Sequence, residues 1–135
     1  MNSIKNLLLI ISLSLTFSRI IKFTVPKNLS KAKISVKENA IFELKMDGNP
    51  TTGYSWFISN EDKLNDYGIE PLNIEGDYIP YDNSGFLMGS GGYFSFQFKA
   101  GSVSSKSKVI KFVYKRFWEE SEYDKHLTIY VNVKE

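Results

Sequence analysis

The sequence predicts an all-β domain, a sandwich or a barrel, and three observations carry that prediction. Four segments alternate apolar with polar residues, the period of a half-buried strand. No segment sustains an apolar period of 3.6 residues, so no long helix is expected. The alternating segments follow one another closely, separated by turn-forming residues, as the strands of sandwiches and barrels do. In a chain of 135 residues with neither an internal repeat nor a linker, they make one domain behind a leader.

The leader is residues 1–18. Lys5 supplies a positive start, Leu7 to Leu15 form an apolar run broken only by Ser12 and Ser14, and Thr16-Phe17-Ser18 puts small residues at the −3 and −1 positions. That is the layout of a secretory signal peptide, with cleavage expected after Ser18 and residues 19–135 as the remaining domain. The run is too short to cross a bilayer core of about 30 Å, and no later stretch approaches that length. The product is therefore expected free of membrane, in the secretory pathway: secreted, or held in a lysosome-like or phagosomal vesicle. Asn28-Leu29-Ser30 then marks Asn28 as a glycosylation candidate, whereas the proline in Asn49-Pro50-Thr51 disqualifies that triplet.

Strands follow in order. A short one is expected at Ile34 to Val36. From Ala40, the residues Phe42, Leu44 and Met46 face one way, and Ile41, Glu43 and Lys45 the other. Tyr54 to Ser59 reads as a strand, Glu61 to Tyr67 as a single helical turn, and Ile69 to Ile79 as another strand. Phe94, Phe96, Phe98 and Ala100 alternate with Ser95, Gln97 and Lys99. Ile110, Phe112 and Tyr114 alternate with Lys111, Val113 and Lys115. Last come Leu127, Ile129, Val131 and Val133 against Thr128, Tyr130, Asn132 and Lys134.

Composition excludes several kinds of chemistry. With 42% hydrophobic and 15% aromatic residues the chain can build a core and is not of disordered type. It has no cysteine, hence no disulfide framework, no thiolate nucleophile and no cysteine-ligated metal, and its one histidine, His126, cannot form a multi-histidine site. No metal or other cofactor is expected. A net charge of +2 is too small to predict a nucleic-acid footprint. Gly53-Tyr54-Ser55-Trp56-Phe57 lacks the closing glycine of a nucleophile elbow, and the glycine cluster at 89–92 lacks the Gly-Lys-Ser/Thr ending of a phosphate loop. The carboxylate pairs Glu119 with Glu120 and Asp77 with Asp82 remain open as acid–base groups, though exposed charges explain them more simply. No enzyme is expected.

Three stretches exceed what turns require. Gly48 to Trp56 holds Pro50, which fixes one φ, two β-branched threonines, Thr51 and Thr52, and Gly53, which permits a positive φ. Such a loop is rigid, and rigid loops lose less entropy on docking. The second stretch is Gly85 to Gly92, ending in Gly89-Ser90-Gly91-Gly92. The third, Tyr114 to Trp118, carries Arg116, Phe117 and Trp118.

These residues resemble the chagasin-type inhibitors of papain-like cysteine proteases. Asn49 to Trp56 matches that family's NPTTGYxW signature, and the other two motifs follow in the family's order. The resemblance spans essentially all of 19–135. It implies an immunoglobulin-like β-sandwich with three binding loops at one end, which enter the cleft of a cathepsin-like protease as a wedge. The protease-binding residues it implies are Asn49, Pro50, Thr51, Thr52, Gly53 and Tyr54 in the first loop, Gly89, Ser90, Gly91 and Gly92 in the second, and Arg116, Phe117 and Trp118 in the third. Thr51 and Thr52 stand at the centre on this reading, the glycines allow main-chain approach, and Arg116 and Trp118 are hot-spot residue types. A monomer is expected. Phe117 departs from the proline the family commonly has there.

Simpler roles compete. A tryptophan after a turn in a sandwich is more often a packing residue, which favours the core for Trp56. Arg116 has Glu119 and Glu120 as surface partners, a contact worth about 0–1 kcal/mol. The other function in view is a secreted immunoglobulin-like binding module whose aromatics, Tyr78, Tyr81 and Trp118, recognise a carbohydrate or a surface protein. The two readings differ in geometry, since an inhibitor needs all three loops at one end.

Overall fold

A computed structural model describes residues 19–81, 91–103 and 107–135. Among the described residues nine strands form two sheets: β1 (Ile21–Val25), β2 (Lys31–Lys37), β3 (Ile41–Gly48), β4 (Tyr54–Ile58), β5 (Glu70–Pro71), β6 (Asp77–Pro80), β7 (Gly92–Lys99), β8 (Lys108–Arg116) and β9 (Lys125–Lys134). A single 3₁₀ turn, Pro50–Thr52, and one short helix, α1 (Glu61–Leu64), are the helical pieces among the described residues. The first sheet has the order β1-β3-β7, with β5 and β6 both pairing along the outer edge of β7; the second has the order β2-β9-β8-β4. This is the expected immunoglobulin-like sandwich.

The alternation read from the sequence sets which face is buried. Phe42, Leu44 and Met46 of β3 and Phe94, Phe96 and Phe98 of β7 line one inner face, while Ile110 and Phe112 of β8 and Leu127, Ile129, Val131 and Val133 of β9 line the other. Phe96 and Phe98 meet Phe112 across the sandwich at centroid distances of 5.1 and 6.3 Å. Each such ring, fully withdrawn from water, contributes about 1.5–3 kcal/mol. No disulfide is available, so this core carries the fold.

Two elements differ from expectation. The stretch 69–79 is not one strand but two short edge strands, β5 and β6. Between them the Asn73 side chain takes over the ladder: its Oδ1 accepts from Gln97 N at 2.6 Å and its Nδ2 donates to Ser95 O at 2.9 Å. The turn closes with Gly76 at φ 73°, its Cα packed on the Phe96 ring. The second difference is β1, which the alternation did not disclose because only Phe23 and Val25 turn inward. It pairs in parallel with β3, and β2 pairs in parallel with β9.

Those registers decide what shares an end. Met46 lies opposite Val25 and Phe94, Gly92 opposite Gly48 and Pro80, Tyr54 opposite Arg116, and Lys125 opposite Tyr114. The β3–β4, β6–β7 and β8–β9 connections therefore all leave from one end of the sandwich. The far end is closed by Gly68 stacked on Gly101 and by the buried Lys108, whose ammonium donates to the Tyr67 and Ser102 carbonyls.

Candidate functional site: a three-loop end of the sandwich

The first loop is a self-contained turn. Asn49 caps it from an extended backbone (φ −141°, ψ 98°), its Oδ1 accepting from Thr51 N at 3.1 Å and from Thr51 Oγ1 at 2.6 Å. Thr52 Oγ1 donates to Asn49 O at 2.7 Å, Thr52 N to the same carbonyl at 3.2 Å, and Gly53 N to Pro50 O at 2.9 Å. Pro50 sits where its missing N–H costs nothing, and Gly53 leaves the turn at φ 86°, a region costly to any residue with a Cβ. Thr51 and Thr52 are exposed at the tip, yet both hydroxyl protons are already used inside the loop. Their first task is to hold its shape.

Aromatic side chains support this turn from below. Tyr114, expected as an inward strand residue and as the start of the third stretch but not as a binding residue, accepts Asn49 N at its hydroxyl (2.9 Å) and packs on Tyr54 at 5.3 Å and Trp56 at 5.0 Å. Its inward position on an alternating strand, two residues before Arg116, is the signal that marks it as support. Trp56 is buried, as expected, with its indole N–H donating to Asp47 O at 2.8 Å. Tyr78 packs at 5.2 Å on Phe94, and this burial, followed by the neighbouring Tyr114 phenol, raises its titration above the ordinary 10.0.

The third loop is tied to the first. Arg116 Nε donates to Thr52 O at 3.0 Å, its guanidinium lies 4.8 Å over the Tyr54 ring and 6.0 Å from the Trp118 ring, and Nη1 meets Glu119 Oε1 at 3.1 Å. The Glu119 partner is real, and it is one of four. Trp118 closes over Gly53 so tightly that a Cβ there would stand 2.6 Å from its Cη2. Phe117 is 76% exposed and meets Trp118 edge-on at 4.9 Å. Arg116 thus acts as a strut between loops.

Of the second loop, Gly89 and Ser90 lie outside the described residues. Gly91 (φ 82°) is half-buried and accepts from Tyr81 N at 3.2 Å. Gly92 is buried as the first residue of β7, where a Cβ would strike Ile79 O; it lets the paired strand β6 lie close and does not open outward.

The other groups do not assemble into a site. Tyr78 packs on Phe94, Tyr81 stacks with Tyr93 at 6.0 Å, and Trp118 lies on the first loop, so they form no shared platform for a sugar ring. His126 is an exposed strand residue. Glu119 and Glu120 are engaged with Arg116 and Lys115, while Asp82 lies outside the described residues. No group of three or more carboxylate or imidazole side chains among the described residues is placed to hold a metal ion.

Comparison with known proteins bears on the family and the fold. The sequence profile described as "Chagasin family peptidase inhibitor I42" matches residues 35–133. Amoebiasin-1 of Entamoeba histolytica is 29% identical over 111 residues, covering 82% of this chain and 97% of that protein. Chagasin of Trypanosoma cruzi is 25% identical over 108 residues, covering 79% and 94%. Among solved structures, PbICP-C in complex with falcipain-2 superposes with a TM-score of 0.59, covering 84% of this chain and 99% of that one at 15% identity, a likeness of fold.

Proposed function

Because the chain belongs to the chagasin family of peptidase inhibitors, we propose that it is a reversible, tight-binding inhibitor of papain-like cysteine proteases that plugs the active-site cleft with its loop end. The observation that carries this reading is the Arg116 strut. It makes the first and third loops one rigid surface with Thr51, Thr52, Phe117 and Trp118 outward. Preassembly means that little loop entropy is lost on docking.

The same bonds explain how a peptide loop can sit against a peptidase uncleaved. Hydrolysis needs an extended segment whose scissile carbonyl is free to enter an oxyanion hole. Here the Asn49, Pro50 and Thr52 carbonyls each accept an internal hydrogen bond. The 3₁₀ turn and the left-handed Gly53 keep the backbone out of an extended register. Inhibition on this reading is steric and noncovalent, without a cofactor. Residues 1–18 act as a secretory signal, residues 19–135 are the inhibitory domain, and the protein works as a monomer, secreted or inside a lysosome-like or phagosomal vesicle.

Titrating papain with the purified protein tests the proposal. Stoichiometric, competitive loss of activity is expected, and full papain activity at micromolar protein would overturn it. Thr52→Asp, which buries a charge in the contact, should weaken inhibition while the protein stays folded.

A further inference from the structure

A fourth connection reaches the same end. β1 runs parallel to β3 and β2 parallel to β9, with Val25 opposite Met46 and Lys31 opposite Thr128. The turn at residues 26–30 therefore crosses from sheet to sheet beside the three loops. It is pinned: Thr128 N donates to Ser30 O at 2.9 Å, Lys27 Nζ lies 3.8 Å from Asp47 Oδ2, and Asn28 adopts φ 69°. Leu29 at its tip is 45% exposed.

Between this turn and the first loop lies a depression of about 650 Å³ whose apolar part includes Met46, Trp56 and Leu127 and whose wall includes Asn49 and Gly91. The depression is thus continuous with the protease-facing loops. Its charged lining is mostly cationic: Lys27, with a side chain 73% exposed, and Lys125, also exposed, against the single carboxylate of Asp47, itself paired with Lys27.

We propose that the 26–30 turn is a fourth protease contact, in which Leu29 and the depression behind it receive an apolar side chain flanked by carboxylates on the rim of the cleft. This inference rests on the inhibitor reading and adds a selectivity element to it, because rim residues vary more freely than a catalytic centre does. An exposed leucine beside a preformed depression supplies apolar burial, and the lysines supply the electrostatic match.

The test uses the full chain against papain and further papain-like proteases that differ in rim charge. Leu29→Asp should raise Ki at least fivefold for proteases with acidic rims and leave the melting temperature unchanged, since the site is an exposed turn. Lys27→Glu should raise Ki for the same proteases and invert the dependence of Ki on salt. Leu29→Ala serves if the aspartate disturbs folding, with a smaller rise in the same direction. Values within twofold of wild type for both Leu29 variants and for Lys27→Glu, with Thr52→Asp still impaired, would overturn the fourth contact and leave the inhibitor reading standing. A wild-type chain that inhibits none of the proteases would remove both.

Discussion

Alanine at Gly53 separates two costs that usually arrive together. The substitution forces an L-residue into φ 86°, worth about 1–2 kcal/mol. It also sets a Cβ 2.6 Å from Trp118 Cη2, so the indole must retreat about 0.8 Å to reach the 3.4 Å at which contacts become ordinary. Trp118 is 58% exposed and can move, so that retreat adds little to the stability loss. Gly68→Ala is the control: it shares a left-handed backbone (φ 74°), but its Cβ meets nothing nearer than Lys108 Nζ at 3.6 Å, at the far end of the sandwich. Both variants should melt lower by roughly 3–6 °C per kcal/mol for a domain of this size. Only Gly53→Ala should lose inhibition. Truncating a tryptophan hot spot costs about 2 kcal/mol or more, and displacing one should recover a good part of that, about a tenfold rise in Ki. Thermal melts and papain titrations of the two variants are sufficient. Equal Ki values for the pair would refute the idea that Trp118 packed on Gly53 shapes the inhibitory surface.

Further outcomes follow from the same geometry. Arg116→Met removes the bond to Thr52 O, the cation over Tyr54 and the Glu119 pair; because the side chain is 37% exposed, stability should fall by no more than about 1 kcal/mol, while Ki rises about tenfold or more. Normal inhibition by that variant would show that the loops hold their relative position without the strut. Trp56→Ala empties the space under both the first loop and the core and abandons the Asp47 carbonyl, so a loss of about 3–5 kcal/mol is expected in chemical denaturation. A glycan on Asn28 would stand on the 26–30 turn beside the loops proposed to face the protease; protein made in a glycosylating host and carrying it should inhibit less well than Asn28→Gln from the same host, and equal potency would place the sugar clear of the contact.

Much of this architecture is legible in the residues. Strict alternation at Phe42-Leu44-Met46 and Phe94-Phe96-Phe98 reports the buried faces directly, because a one-residue slip would turn every ring to water. The eight residues Asn49 to Trp56 disclose a rigid turn, since Pro50 and Gly53 restrict the backbone wherever they occur. What stayed hidden depends on neighbours far away in sequence. Arg116 reads as an interface residue, but its partners Thr52 and Tyr54 lie more than sixty residues earlier. Gly92 reads as part of a flexible glycine run, and only the close pairing of β6 shows why a side chain cannot stand there. β1 has too few inward residues to announce itself, so the turn it leads into was visible only as a glycosylation triplet.

The pairing of β2 with β9 has a temporal consequence. Lys31 is registered with Thr128 and Lys37 with Lys134, so an early strand finds its sheet neighbour, among the described residues, far later in the chain. Closing so large a loop is entropically slow, and contacts of this range govern folding rates. During synthesis β2 must wait for this pairing until β9 has left the ribosome. Its lysines at positions 31, 33 and 37 keep that waiting edge charged and discourage it from pairing with another chain. A chain cut short before residue 125 would lose β9 and leave β2 without the strand it pairs with among the described residues.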